Sequence, residues 1–505
     1  MIAEKPPYEN LLPSRSLDGR PWGTRQTLAA ASGVGYEVTQ PGRSRRALGV
    51  ITGLMAAADR HLDKQTLGSL REICRMHDRQ SPLFSGLLNR ALDNIVGANF
   101  DFIPNTGDLE LNKRVKDYIT ARMEPGACDA AGVLDFSDQL KTTLRALWTD
   151  GDIVHVKRPD GTLLSFEADQ VETPTAAGGK HELTAGRRVV LGVELNPLNR
   201  PLRYYLRQRQ VNGDYGTGPL NQDWQTAAAA DVICPAYRTR FHQTRGVPFL
   251  AASLGFYTRF HNYLDFESFA AEQNSMQGWK ITRQPREDDP SSVLDNDDGD
   301  STFEKLEKMD YGMIFDLLPG EDVKMIASER PGSNFEPYII TCCRIIGVGI
   351  GMPLELVLLD FSQTNYSSAR ASLGEARRSF RGWQRRAQNQ FCLPWYRWQV
   401  ARGIARGELP ARPELFKARC QWPAWEYIDP VKEAQGNAIA ISTVTKTPSE
   451  CIRERGGEPE EVYEEFATDL QRIRSMGLEL PNVQLVVTNE KDEPGEEQNK
   501  KGDKK

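Results

Sequence analysis

Apolar positions along the chain first recur at helical spacing. The pattern starts near Leu48 and repeats over 65–80, 82–97, 108–123 and 133–149. In the second of these, Leu83, Leu87, Leu88, Ala91, Ile95 and Val96 make one apolar face, and Gly97 is placed to end the helix. Leu134, Phe136, Leu140, Leu144, Ala146 and Leu147 do the same over 133–149. The period then falls to two. Ile153, His155 and Lys157 alternate with Val154, Val156 and Arg158, Asp160-Gly161 supplies a hairpin turn, and LLSFEA returns. Val189–Leu195 and Leu202–Arg207 are further strand candidates, so 150–240 is predicted to be a β-rich module with helical flanks.

Helical spacing resumes over 247–271 through Leu250, Leu254, Tyr257, Phe260, Leu264 and Phe269. A very polar insert follows, 283–304, which cannot bury a core and is expected to be a solvated loop. MIFDLLPGEDVKMI predicts a strand, a turn at Pro319-Gly320 and a second strand; Phe335–Ile350 predicts an apolar helix stopped by Pro353. Beyond the polar loop DFSQTNYSSAR, a long helix is expected from about Ser368. Ala369, Leu373, Ala376, Phe380, Trp383, Ala387 and Phe391 step along it by threes and fours, and Pro394 should kink it. Another helix is expected over 458–476. Residues 1–47, rich in Pro, Gly, Ser and Arg, look like an arm, and the C-terminal tail lacks aromatics and is expected to be disordered. The fold class this predicts is α+β.

Composition alters the picture in two ways. Hydrophobic residues make up 39% of the 505, below the usual range of about 45–50%, which suits an elongated or multiply contacted subunit. The net charge of −6 argues against a globally basic nucleic-acid binder, although a local basic patch survives such an average. Eight scattered cysteines without a CxxC read as reduced thiols. No apolar run approaches the ~18 residues that would suggest a membrane span. A soluble protein made in a cytoplasm, with no membrane partner, is expected.

Catalytic chemistry is mostly missing. There is no GxxxxGK[ST], HExxH or GxSxG, and the six histidines have no metal-ligand spacing. Gly347, Gly349 and Gly351 close an apolar helix instead of opening one after a strand, so close packing explains them better than a dinucleotide. The run Asp295–Asp300 fails the calcium-loop pattern, and Cys342-Cys343 lie inside an apolar helix, which reads as core. No catalytic residue, metal or cofactor is implied.

One feature rises above this background. Between Arg370 and Arg406 lie nine arginines and a single acid, Glu375. Arg378, Arg381 and Arg385 fall on one helical face, as do Arg370 and Arg377, with Arg386 alongside. Such a helix needs neutralising by phosphates or by the acidic surface of a neighbouring subunit. Arginine's planar fork suits both, and both readings stay open.

Three segments, in this order, resemble the portal proteins of tailed bacteriophages, specifically the lambda-type family. Leu70–Pro104 reads LREICRMHDRQSPLFSGLLNRALDNIVGANFDFIP, Arg240–Ala251 reads RFHQTRGVPFLA, and Met352–Leu373 reads MPLELVLLDFSQTNYSSARASL. The likeness spans roughly residues 30 to 430. It departs at Arg79-Gln80-Ser81-Pro82, where the family often has Asn-rich helix ends, and the 283–304 insert looks individual.

The resemblance implies a ring of about twelve subunits at one capsid vertex. Double-stranded DNA would pass through its channel without sequence recognition, driven by the large terminase subunit. The ring would also meet a head-completion or tail-connector protein and the major capsid or scaffolding protein, and it would reside in the virion. Carried onto this chain, the family plan gives an N-terminal arm over 1–47 and a wing over 48–243. Stem helices would cover 244–275 and 331–352, on either side of a small α/β clip at 276–330. A tunnel loop would occupy 353–370, followed by a kinked helix returning to the wing over 371–430, a helical crown at 431–480 and a tail at 481–505. Gln363, Asn365, Tyr366, Ser367, Ser368 and Arg370 would face DNA, unless the Asn and Ser residues only turn the chain and cap the next helix. Two rival expectations are a capsid shell or scaffolding protein and, motivated by the arginines, a DNA-processing enzyme. The enzyme would need clustered carboxylates for metals, which the chain lacks outside 287–300.

Overall fold

The computed structural model describes residues 58–60, 62–98, 100–173, 187–207, 224–275, 279–283, 321–325, 335–362, 364–425 and 429–477. The expected arm, the expected tail and the polar insert beyond Arg283 lie outside them. So do the strand before Pro319-Gly320 and the acidic run Asp295–Asp300.

Local chemistry sets the first helices. Asp63 opens α1 (Lys64–Gln80), its carboxylate accepting the Thr66 N–H at 2.7 Å. Ser81 ends α1 and starts α2 (Pro82–Ile95). Its own N–H donates to the His77 carbonyl, its hydroxyl accepts from Phe84 N–H, and Pro82 takes the first turn, where a missing N–H costs nothing. The Gln80-Ser81-Pro82 departure is therefore a two-helix junction. After β1 (Asp101–Pro104), α3 (Leu109–Met123) and α4 (Phe136–Thr149) complete the helical part.

The β-rich module forms as expected, with one correction. β2 (Val154–Lys157) and β3 (Leu163–Phe166) make an antiparallel hairpin around Asp160-Gly161. Val189–Leu195 is not one strand. It is β4 (Arg188–Val190) and β5 (Val193–Leu195), folded back at Leu191 and Gly192 with φ of 48° and 83°. Left-handed backbone at both central residues matches the twist of a tight hairpin, and alternation alone does not reveal it. β6 (Pro201–Arg207) and β7 (Trp224–Ala228) extend this pair into a four-stranded antiparallel meander, while β8 (Val232–Ile233) joins β2 on its other edge.

The chain then leaves along α5 (Ala251–Ser275), whose 25 residues span about 37 Å. β9 (Trp279–Arg283) pairs antiparallel with β10 (Glu321–Met325), and α6 (Phe335–Ile350) returns against α5. β9 was missed in the sequence. The glycines permit two close approaches: a Cβ on Gly349 would lie 2.3 Å from Ser253 Oγ of α5, and one on Gly347 2.4 Å from the Met352 carbonyl, in the turn that follows α6. The packing reading of GVGIG holds, and Cys342 and Cys343 are buried as expected.

α7 (Leu354–Leu358) and α8 (Tyr366–Ala387) follow. The expected kink takes the form of a π-helical stretch, Gln388–Cys392, before α9 (Leu393–Ala405). Pro394 has no N–H to donate, so the ladder cannot continue unbroken through this turn. Gln390 in the π stretch accepts the Ala236 N–H at 2.8 Å. β11 (Ala418–Gln421) pairs with β1, and α10 (Pro430–Ser442), α11 (Pro448–Glu454) and α12 (Pro459–Ser475) end the described chain.

One apolar core runs from Leu62 to Leu415 and includes the near ends of α5 and α6. Phe102, Phe136, Phe391, Trp395 and Tyr396 stack at its centre, with Phe136 and Trp395 centroids 4.4 Å apart. A smaller core of Val154, Phe166, Val193, Tyr204 and Leu206 fills the β-rich module.

The two parts are joined by buried charge. Arg245, from the QTRGVP segment, is 3% exposed and uses all five donors. Its Nε and one Nη2 hydrogen bond the Asp152 carboxylate at 2.7 and 2.8 Å, and the others reach the carbonyls of Ala168, Val171 and Leu191 at 2.7–2.9 Å. Arg71 on α1 adds bonds to Asp152 at 3.3 Å, to Asp169 at 3.1 Å and to the Asp150 carbonyl at 2.9 Å. Burial pushes the Asp152 carboxyl up, but Arg245 and Arg71 outweigh it and hold the group below the ordinary carboxylate range. The backbones also touch: a Cβ on Gly246 would lie 1.9 Å from the Gly151 carbonyl oxygen. Replacing Arg245 with Met leaves a buried carboxylate half-paired and takes a guanidinium donor from each of three carbonyls. We expect a loss of about 3–5 kcal/mol, read as the shift in urea midpoint; a change below about 1 kcal/mol would overturn the assignment.

Candidate functional site

The residues singled out in the sequence lie on α7, α8 and the loop between them. α7 ends at Leu359, whose φ of 55° puts a branched side chain in the left-handed region. Asp360 turns the chain by accepting the Ser362 N–H at 2.9 Å, and the Ser362 hydroxyl, followed by this backbone bond, lowers its pKa. Asn365 then caps α8, accepting the Ser368 N–H at 2.8 Å. The capping role weighed from the sequence is thus real. It occupies the Asn365 carbonyl oxygen and leaves Ser367, Ser368 and Arg370 exposed on the first turn of the helix. Tyr366 begins α8, and Gln363 lies outside the described residues. Leu358, Leu359 and Phe361 are also exposed here, a feature the polar motif hid.

Along α8, Ala376, Phe380, Trp383 and Ala387 are buried at the expected positions. The arginines divide by environment. Arg377 and Arg381 lie over the Trp425 ring at 5.6 and 5.4 Å, and Arg386 lies over Tyr237 and Trp383 at 4.9 and 5.3 Å. Burial lowers the pKa of Arg377 and Arg386, opposed by Glu433 and by Tyr237 respectively. Arg378 and Arg385 are exposed, Arg378 pairing with the equally exposed Glu375 at 2.8 Å. Arg370 and Arg377 line a cleft of about 370 Å³ against Lys432, Glu433, Lys446 and Glu454 of the C-terminal helices. Part of the charge counted in the sequence is therefore met inside the subunit by aromatic faces. Two of these faces, Tyr237 and Trp425, lie far from the helix in sequence.

α5 and α6 carry a different kind of surface. Their inner faces bury Leu254, Tyr257, Phe260, Cys343, Ile346 and Ile350. Their outer faces leave Phe266 70%, Phe269 60% and Val348 83% exposed. Acidic Asp265 sits beside the first and Arg344 precedes the last by one turn.

Chemistry is sparse elsewhere. His155 is buried between Thr143 Oγ1 and Ser165 Oγ at 3.1 and 2.9 Å, and burial pushes it down to about 3, so it is a neutral core residue. No group of metal-ligating side chains occurs among the described residues, and no helix of theirs is long and apolar enough to cross a membrane.

Residues 44–384 match the family model described as phage portal protein, lambda family. The chain belongs to that family. A probable portal protein of Halomonas phage phiHAP-1 is 26% identical over 398 residues, 76% of this chain and 74% of that one. Portal protein B of Escherichia phage lambda is 24% identical over 176 residues, and the match covers a third of each chain. A chain from the neck of an empty gene transfer agent particle has a TM-score of 0.45 and 13% identity, covering 77% of this chain and 93% of that one. Membership makes the chain a portal subunit, a structural component of the virion and not an enzyme. The shell or scaffolding alternative and the DNA-processing alternative give way to it.

Proposed function

We propose that this portal subunit forms a closed ring of about twelve copies around a channel for double-stranded DNA. The wing would be 48–243, with α5 and α6 as stem helices within 244–275 and 331–352. The clip, 276–330, would meet the large terminase subunit and the head-completion or tail-connector protein, and the crown, 431–480, would be built from α10, α11 and α12. The wing rim would face the major capsid or scaffolding protein.

The observation that carries this reading is the outer face of α5 and α6. Phenylalanines and a valine exposed to 60–83% on two packed helices are covered by equivalent helices in a ring. Phe269→Asp combined with Val348→Asp is expected to yield folded subunits with an unchanged melting temperature that no longer close. Negative-stain electron microscopy reads the outcome directly, and closed rings from the double variant would remove the interface.

The loop 353–370 and the first turn of α8 supply the channel lining, with Gln363, Asn365, Tyr366, Ser367, Ser368 and Arg370 nearest the duplex. Net charge supports a sliding surface: about twelve copies at −6 make a ring of about −72, whereas a basic sleeve would hold DNA by counterion release. Deleting 361–368 should leave rings intact and reduce packaged, retained DNA several-fold; normal packaging by such heads ends the assignment.

Arg378, Arg381 and Arg385 are all exposed, but Arg381 lies over Trp425; we assign Arg378 and Arg385 to the acidic surface of the next subunit. Arg377, Arg381 and Arg386 hold α8 to its own aromatic neighbours. Reversing Arg378 and Arg385 to Glu is expected to block ring closure at low salt. Intact rings with altered DNA retention would instead give these residues to phosphate.

A further inference from the structure

The edge of the loop before α8 is held by a side chain given no role so far. Arg90, half-buried on α2, points its Nη1 at the end of α7, where it donates to the Leu356 carbonyl at 2.8 Å and the Val357 carbonyl at 2.6 Å. These are two of the last carbonyls of α7, which the helix cannot satisfy because Leu359 turns left-handed immediately afterwards. A guanidinium there meets both the unpaired acceptors and the negative end of the helix dipole. Near its other end α2 also meets the last turn of α8, where Gln384 donates its side-chain N–H to the Ile95 carbonyl at 3.0 Å.

We propose that Arg90 is the positioning residue of this loop: it fixes where the chain leaves α7, and so where residues 359–365 project, without touching what the loop touches. This rests on the channel-lining assignment of the loop only for its consequence, not for the contact itself. The alternative is that Arg90 is ordinary structural glue, whose loss would loosen the whole helical body.

Hydrogen exchange on the full-length ring separates these. In Arg90→Gln, amides of 356–365 should exchange about tenfold to a hundredfold faster, the equivalent of losing a charged hydrogen bond. Amides of α1 and α4 should keep wild-type rates. Arg90→Lys retains the charge on a shorter side chain and should fall between the two. Unchanged loop exchange, or acceleration spread evenly over α1, α4 and the loop, overturns the proposal. Heads assembled with Arg90→Gln should also retain less DNA. If loop exchange rises while retention stays normal, the positioning role stands and the channel-lining assignment fails instead.

Discussion

The subunit depends on one buried carboxylate. Asp152 lies at the point where the helical body meets the β-rich module, and it stays ionised there only because Arg245 and Arg71 converge on it. A lone buried charge would cost several kcal/mol, while a forked pair with its remaining donors satisfied approaches balance. The partners come from α1, from the start of the β-rich module and from the segment leading into α5. Three stretches of chain far apart in sequence therefore meet only in one arrangement. The gain is chiefly in specificity: apolar packing alone could tolerate small rotations of the module against the body, whereas five directed donors cannot.

That fixed joint governs the long elements beyond it. α5 begins five residues after Gly246, whose backbone presses on Gly151, so its direction is set before its own side chains contribute. α6 returns along it with Gly349 set against Ser253. α7 and α8 then grow back into the same core through Val357, Phe380 and Trp383. The outer ends of α5 and α6 share none of this support, and apolar residues accumulate on their exposed faces. A portal subunit is in this sense rigid where it anchors and unfinished where it meets its copies.

Much of this was legible in the sequence because it is periodic. The faces of α2, α4 and α8 could be read from residues such as Leu88, Leu144 and Phe380, since a helix core repeats locally. Asp160-Gly161 announced its turn, but Leu191-Gly192 did not, because a leucine in left-handed backbone carries no local signal. The QTRGVP motif was visible while the role of Arg245 was not: whether an arginine is buried depends on a carboxylate ninety residues away. Arg90 and Trp425 escaped for the same reason. The arginine helix was over-read as uncompensated, since charge counting takes no account of indole faces. The loop residues were located correctly as a segment, but Asn365 had a local duty that composition could not rank.

The π stretch at Gln388–Cys392 has a consequence for how this protein can change. In a regular helix one extra residue turns everything after it by about 100° around the axis, whereas a π turn is wide enough to take that residue up. Phe391, Trp395 and Tyr396 pack into the same core as Phe380 across this turn. A residue added or removed in the regular stretches on either side would carry the downstream aromatics out of register with that core. Along those stretches the number of residues is as constrained as their kind.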